Sequence, residues 1–139
     1  MIGLDASGLA VVANGLCEWH DAPGGKQPYY FTRADGDAVT IAGLWDEWKD
    51  KATGEAVKSC TMIITAANDF TGEVHDRMPV ILEPNQFEPW LSCTAGVEML
   101  KPAADDVLQL WPVSKRVNSS RASDGDPTLI DRIELPSAA

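Results

Sequence analysis

Short apolar runs separated by Gly, Pro, Asn and Asp dominate the pattern of this chain. Short runs rich in β-branched and aromatic side chains, bounded by such turn residues, are typical of strands. In the run 16–20, alternation puts Leu16 and Glu18 on one face of the strand and Cys17 and Trp19 on the other. We predict strands at 9–13, 16–20, 29–32, 38–45, 57–65, 75–82 and 107–111, with a late edge strand at 129–135.

Turns and short helices fill the intervals between these strands. The sequence 34–37 predicts a hairpin turn, and the charged stretch 46–54 indicates a solvated loop. Short helices are predicted in three places by capping residues and by proline. These are 66–74 with Thr65 or Asn68 as N-cap, a helix that starts at Pro84, and 94–100. Pro89 either limits the second of these helices or starts another turn.

This succession of elements favours an α+β fold with a mainly antiparallel, curled sheet and short flanking helices. The length of the chain indicates one domain, residues 1–139, built around one core. The C-terminal stretch 119–139 is expected to be a flexible segment because it begins with a polar run and ends in small residues.

Composition narrows the classes of protein to consider. No apolar run approaches the length of a membrane span and no basic-then-apolar leader opens the chain, so we expect a cytoplasmic protein without a membrane partner. The three cysteines form no CxxC pair, which favours reduced thiols. Cys17 and His20 lack partners at a metal-binding spacing, so we predict no metal site and no cofactor.

The formal net charge of −10 bears on nucleic acid as a partner. Broad, non-specific attraction to DNA depends on Lys and Arg that neutralise phosphates, and this chain has an excess of carboxylates. Net charge says little about one surface patch, so a local basic cleft stays compatible with it.

Two sequence segments carry the residues most suited to chemistry. His75, Asp76 and Arg77 stand where an apolar run begins, and loops at strand ends often carry function on a rigid scaffold. Glu18 stands inside an apolar run beside Trp19, where loss of solvent raises a carboxyl pKa and suits the group to act as a general acid. We predict that Glu18 and His75 meet in one cavity.

Each of these residues also has a structural interpretation. Glu18 alone is compatible with an edge-strand carboxylate that faces water, and His75 with an ordinary loop residue. Asp76 is expected to orient the imidazole. Arg77 is expected to pin loop carbonyls behind the site, with contact to a phosphate as the alternative.

The cysteines and tryptophans are less specific signals. Alternation turns Cys17 away from Glu18, which predicts a buried core thiol, and Cys60 is also expected in the core. Trp45 and Trp48 flank the predicted loop, where they offer a stacking surface for an unpaired base or simply pack in the core. Lys26 fits either a small basic rim or an ordinary solvated lysine.

Six blocks of sequence, taken together and in order, resemble the SOS response-associated peptidase (SRAP) family. They cover about residues 10–120, and no single block would be specific. The blocks are Gly15–Trp19 (Gly-x-Tyr-Glu-Trp in the family), Lys26–Tyr29 (Lys-x-Pro-Tyr), Ala42–Trp45 (Ala-Gly-Leu-Trp), Thr65–Asn68, His75–Leu82 and Pro112–Asn118 (Pro-Val-Ser-x-x-Val-Asn).

The resemblance implies a function in the DNA damage response. The family recognises abasic sites in single-stranded DNA and forms a DNA–protein crosslink through an N-terminal cysteine, which self-removal of the initiator methionine exposes. The family's glutamate falls on Glu18 and is implied to help open the sugar ring; its histidine falls on His75 and assists that chemistry. Candidate substrate-binding residues in the blocks are Trp19, Lys26, Thr65, Asn68 and Asn118, with Asp76 and Arg77 supporting the site.

The chain departs from the family at its start. Family members begin Met-Cys-Gly-Arg, whereas this chain begins Met1-Ile2-Gly3, and Cys17 stands where the motif has tyrosine. We therefore expect an N-terminally truncated, partial SRAP-like domain with a curled, barrel-like sheet and impaired crosslinking chemistry. Sheet edges left open would favour self-association. The resemblance leaves open whether this chain is a cysteine-type peptidase or lyase-like enzyme.

Two other functions remain as alternatives. One is a non-catalytic remnant or partner-binding module that keeps the scaffold and does not contact DNA. The other is an independent cysteine hydrolase that uses Cys17 with His75 and Asp76, which requires Cys17 to point into the pocket.

Overall fold

The computed structural model describes residues 6–137 and consists mostly of antiparallel sheets with one short α-helix. The strands are β1 (Ser7–Ala13), β2 (Leu16–Ala22), β3 (Gly25–Arg33), β4 (Val39–Lys49), β5 (Ala56–Met62), β6 (Ile64–Ala66), β7 (Arg77–Pro79) and β8 (Leu108–Pro112). The helix α1 is Phe87–Leu91, and 3-10 turns lie at Thr71–Glu73, Pro84–Gln86, Val97–Met99, Lys115–Asn118 and Pro127–Ile130.

The strands form two three-stranded sheets, ordered β1-β4-β5 and β2-β3-β8, and a two-stranded sheet of β6 and β7. The hairpin predicted at 34–37 is wrong, although Gly36 does donate to the carbonyl of Arg33 in a tight turn there. Both edges of β3 are paired, with β2 and β8, so β4 pairs with β1 and β5 in the other sheet instead. The curled, barrel-like closure stays a prediction.

The solvated loop predicted at 46–54 is also wrong. The end of β4 continues as a strand and pairs with β5 as a hairpin arm, in which Trp45 lies opposite Cys60 and Trp48 opposite Val57. The charged residues of this arm resembled a loop because both of its faces are largely exposed. Every residue of β5 is exposed, so the prediction of Cys60 in the core is wrong.

The core forms around the apolar stretch that follows His75. One cluster is made by Phe31, Val39, Ile41, Met78, Ile81 and Leu108, and a second by Ala42, Val80, Leu82 and Trp90. The stretch therefore contributes to both clusters, and its backbone is bonded to β4 through Ala42 N–H to Val80 O and Leu82 N–H to Thr40 O, both 2.8 Å. This buried segment fixes the loop that carries His75.

Gly15, between β1 and β2, allows a close approach to β3. A Cβ atom there would lie 2.4 Å from the carbonyl oxygen of Phe31 and 2.5 Å from the ring of Tyr30. Glycine is required by this contact. It lets β2 pair with β3 in the register that puts Glu18 opposite Tyr29.

The predicted helices are shorter than expected. Pro89 does not end α1 but lies within it, because N–H groups in the first turn have no intrahelical acceptor. The indole N–H of Trp90 donates to the carbonyls of Leu9 and Gly43, both 3.1 Å away, and so holds α1 against β1 and β4. The other two predicted helices are reduced to the 3-10 turns at 71–73 and 97–99.

The described part of the C-terminal stretch contacts β8. Trp111 donates its indole N–H to the carbonyl of Ile130 at 2.8 Å, and Ile133 N–H donates to the carbonyl of Pro112 at 3.0 Å. The predicted late strand is wrong, since only an isolated bridge between Val113 and Arg132 forms there. The predicted mobility of 119–139 stays a prediction.

Two further expectations concern membrane-spanning helices and the start of the chain. The described residues contain no helix long and apolar enough to cross a membrane. Met1 and Ile2, on which the expectation of a truncated start depends, lie outside the described residues.

Candidate functional site

Glu18 and His75 line the same cavity, as do three other residues singled out from the sequence. The cavity has a volume of about 300 Å³ and its lining consists of Glu18, Trp19, Lys26, His75 and Asn118. These residues come from β2, β3, the loop before β7 and the 3-10 turn after β8. We call this cavity the polar pocket.

β2 carries the carboxylate of the polar pocket. Leu16 on the same strand lies opposite the fully buried Phe31, which anchors β2 to the core. Burial raises the pKa of the Glu18 carboxyl, and the positive charges of His75 and Arg77 offset part of that rise. This is the direction expected from an apolar strand, and it favours a carboxyl that retains its proton closer to neutral pH.

The loop before β7 holds the imidazole by its backbone and by one ring nitrogen. His75 donates its backbone N–H to the carbonyl of Thr71 at 3.0 Å. Its Nδ1 lies 3.2 Å from both the backbone N and the carbonyl oxygen of Arg77, so this nitrogen is occupied in either protonation state. Among residues 6–137, no hydrogen bond reaches Nε2, which leaves that nitrogen available for proton transfer.

The neighbouring charged residues support the imidazole less than predicted. An Asp76 carboxylate oxygen lies 3.4 Å from Nδ1 of His75, but the aspartate side chain is 86% exposed. The Arg77 side chain is 65% exposed, and its guanidinium donates to no loop carbonyl in the described part of the chain. The predicted pinning by Arg77 is therefore wrong, whereas a contact with a phosphate remains open to this exposed cation.

A direct hydrogen bond closes the opposite wall of the polar pocket. The indole N–H of Trp19 donates to Oδ1 of Asn118 at 2.6 Å and joins β2 to the turn after β8. Lys26 lies 3.8 Å from Asp21 in a pair that is exposed on both sides, so its ammonium is free to reorient. The pocket thus has one carboxyl, one imidazole, one fixed indole face and a mobile cation.

Thr65 and Asn68 line neither this pocket nor the cavity beside it. Thr65 lies half-buried in β6, opposite Met78. The Asn68 amide donates to the carbonyl of Ala103 at 3.0 Å, and its oxygen accepts from Thr71 N–H at 2.8 Å. Asn68 therefore holds the turn that leads to His75. The N-cap of that turn is Phe70, so the prediction of Thr65 or Asn68 as N-cap is wrong.

A second, apolar cavity of about 320 Å³ shares the walls formed by Glu18 and His75. We call it the apolar cavity, and the sequence analysis missed it. Its remaining lining brings together residues from β2, β4, β5, β6 and β7, a neighbourhood that no local pattern reveals. These residues are Leu16, Cys17, Ile41, Met62, Ile64, Arg77, Met78 and Pro79.

Cys17 corrects a prediction made from strand alternation. It is half-buried and lines the apolar cavity instead of lying in the core on the far side from Glu18. Burial, followed by the negative charge of Glu18, raises the pKa of the Cys17 thiol. A thiol that holds its proton is a poor nucleophile, which disfavours the cysteine hydrolase alternative.

Within residues 6–137, no group of three or more potential ligands could hold a metal ion.

Comparisons of this chain with a family model and with known proteins agree on one family. Residues 6–120 match the family model described as SOS response associated peptidase (SRAP). The abasic site processing protein HMCES of Gallus gallus is 32% identical, covering 90% of this chain and 43% of that protein. The abasic site processing protein YoqW of Bacillus subtilis is 29% identical, covering 87% of this chain and 55% of that protein. The chain thus spans about half the length of these relatives.

A solved structure has a similar fold. The crystal structure of a protein from Bacteroides thetaiotaomicron is similar with a TM-score of 0.81 and 28% sequence identity. The similarity covers 92% of this chain and 57% of that chain.

Proposed function

The chain belongs to the SOS response associated peptidase (SRAP) family, and from this membership we propose that it binds abasic sites in single-stranded DNA and opens their sugar ring. The observation that carries the proposal is the convergence of Glu18 and His75 in the polar pocket. The names of two relatives, both abasic site processing proteins, support the same substrate.

The pocket suits an acid–base reaction on a small polar group. In its closed form an abasic sugar is a hemiacetal. Glu18 gives its proton to the ring oxygen as the bond from that oxygen to C1′ breaks, and His75 takes the proton of the C1′ hydroxyl. The products are an open-chain aldehyde, a new hydroxyl on C4′, a carboxylate and an imidazolium, so atoms and charges balance. A carboxyl with a raised pKa and an imidazole with a free Nε2 fit these two roles.

Single-stranded DNA fits the rim of the pocket. Lys26 and Arg77 are exposed cations that can neutralise phosphates next to the abasic nucleotide, despite the net charge of −10. The indole of Trp19, fixed by Asn118, offers a flat face to an unpaired base. A gap in the base sequence leaves the neighbouring bases unstacked, so such faces favour a strand with an abasic site.

None of the three cysteines is suited to a covalent step in the polar pocket. They are Cys17, Cys60 and Cys93. Cys17 holds its proton and the other two are exposed outside the polar pocket. We propose that ring opening at the polar pocket proceeds without a lasting crosslink to any of these three cysteines.

Trapping of the open aldehyde tests this function. A single-stranded oligonucleotide with one abasic site is mixed with an alkoxyamine, which reacts only with the open form, and labelling is followed by mass spectrometry. The chain is expected to accelerate labelling, and Glu18→Gln to remove most of that acceleration because an amide cannot supply the proton. Glu88→Gln, which changes an exposed carboxylate outside the pocket, is the matched control and should behave as the wild type.

Other results would redirect the interpretation. Labelling that is no faster with the protein than without it would contradict ring opening. Failure to bind the oligonucleotide at low salt would favour a non-catalytic remnant that binds a protein partner. A denaturation-resistant adduct at Cys17, Cys60 or Cys93 would contradict the proposal that these cysteines form no crosslink.

A further inference from the structure

We propose that the apolar cavity and the sheet surface that continues from it bind the bases next to the abasic nucleotide, as a stacking shelf that does not read their identity. The shelf consists of Met62, Ile64 and Trp45, and the buried Ile41 lines the cavity beneath them. The proposal depends on the proposed function, since it places the flanking strand beside the polar pocket.

The strand register puts Trp45 on the same face as the cavity. Met62 pairs with Gly43, and Cys60 pairs with Trp45 one step further along the hairpin arm. Residues two apart on a strand share a face, so Gly43 and Trp45 share the face of Ile41, which lines the cavity with Met62. Gly43 itself is buried, with the apolar side chain of Leu9 packed beside it, so Met62 and Leu9 form the surface between the cavity and the indole.

Three apolar side chains of this surface are exposed to solvent in the described part of the chain. Met62 is 53% exposed, Ile64 61% and Trp45 37%. Contiguous exposed apolar side chains beside a pocket are typical of ligand-binding surfaces. A strand that leaves the polar pocket meets this surface immediately, because Glu18 and His75 line both cavities.

Two cations give the shelf the charge that a nucleic acid requires. The Nζ of Lys58 lies 5.6 Å from the ring centroid of Trp45, and Arg77 lines the cavity at the other end. Lys58 is also 3.9 Å from Glu47, but both side chains are partly exposed and a pair of this kind is weak enough for a phosphate to displace. An aromatic face with cations nearby is the usual arrangement for binding unpaired bases.

The composition of the shelf also sets its specificity. Apolar side chains and an indole face present no donors or acceptors to the edges of a base, whereas every base has a face that can stack. We therefore expect similar affinities for oligonucleotides whose flanking bases differ.

Trp45 and Trp48 provide a matched pair for the test. They lie on the same strand but point to opposite faces, and Trp48 is the more exposed at 60%. Affinity is measured by fluorescence anisotropy with two labelled oligonucleotides of equal length, one with a central abasic site and one intact. Trp45→Ala is expected to weaken binding of both by about tenfold, the effect of losing one stacked base, and Trp48→Ala by less than about twofold.

Further variants guard against trivial explanations. Trp45→Phe keeps a smaller ring and should recover part of the affinity if stacking is the cause. Lys58→Gln should flatten the slope of log K against log salt by about 0.7, the value for one phosphate contact on a single strand. Thermal unfolding of each variant shows whether the fold is intact.

The outcomes separate this proposal from the proposed function. The ratio of the two affinities and the labelling reaction report on abasic-site chemistry, whereas equal loss on both oligonucleotides reports on the shelf. If Trp45→Ala weakens binding no more than Trp48→Ala, the shelf is not a DNA surface. If Trp45→Ala instead dissolves a dimer detected by ultracentrifugation and leaves DNA binding unchanged, the shelf contacts a second copy of the chain and the proposal is overturned.

Discussion

Two groups of charged residues lie at different points along β3, and they differ in how their charges are paired. Beside the middle of β3, Glu18 lies opposite Tyr29 and shares the polar pocket with His75. At the C-terminal end of β3, Arg33 binds two carboxylates. Its guanidinium donates to Asp35 at 2.6 Å and to both carboxylate oxygens of Glu83 at 3.1 Å.

The difference lies in how completely the charges are paired. The Arg33 clamp uses both sides of the guanidinium and lowers the pKa of Asp35 to about 2 through hydrogen bonds to it. In the polar pocket burial raises the pKa of Glu18, because the nearby cations compensate only in part. The clamp borders a larger cavity, of about 430 Å³, yet its charges are already satisfied. Unsatisfied pairing identifies the candidate site better than cavity size does.

The largest expected effect separates the two groups by activity. His75→Ala should lower the rate of aldehyde trapping by about a hundredfold, since a positioned base typically contributes 10²–10⁴-fold. His20→Ala removes the only other histidine, which is exposed and lines neither cavity, and should leave the rate unchanged. Equal losses in the two variants would mean that the polar pocket is no more reactive than the surface around it.

The next effect separates them by stability. Arg33→Ala removes a nearly buried guanidinium and its hydrogen bonds to two carboxylates. It should lower the free energy of unfolding by about 1–2 kcal/mol, because water solvates the partly exposed carboxylates that remain. Arg77→Ala removes an exposed guanidinium and should change it by less than about 0.5 kcal/mol. Urea titrations of both variants provide the values. A larger loss in Arg77→Ala than in Arg33→Ala would reverse the comparison.

The smallest effect concerns pH. A carboxyl whose folded pKa is raised contributes stability that is present below its unfolded pKa and is lost as the pH rises through its folded pKa. Glu18→Gln removes this loss, so the variant should be more stable than the wild type at pH 7, by less than about 1 kcal/mol because water screens a half-exposed group. The difference should disappear below about pH 4, where both forms are neutral. A variant that is less stable at pH 7 would show that the carboxylate is paired after all.

The sequence predicted the polar pocket better than the path of the chain. Glu18, Trp19, Lys26, His75 and Asn118 belong to blocks that resemble one family, and their meeting follows from a shared fold. Their chemical roles stay predictions. By contrast, the polar composition of 46–54 led to a wrong prediction of a loop, because a strand with two exposed faces has the polarity of a loop.

Contacts between distant segments account for the remaining errors. Nothing local reveals that β3 is paired on both edges, which is why the hairpin at 34–37 does not form. Alternation correctly separates the faces of an ideal strand, but Cys17 and Glu18 both line the apolar cavity, which lies beside β2 at the edge of its sheet. The apolar cavity itself depends on Met62 and Ile64, two exposed residues that give no signal of a site before the fold is known.

The tight contact at Gly15 has a consequence for how this protein can change. One added methyl group at that position would push β2 away from the carbonyl of Phe31 and the ring of Tyr30, and the carboxyl three residues later would move with the strand. The chemistry is therefore vulnerable to a substitution that preserves every acid, base and aromatic residue. A homologue that keeps all of these side chains but has alanine in place of Gly15 would therefore be expected to lack the activity.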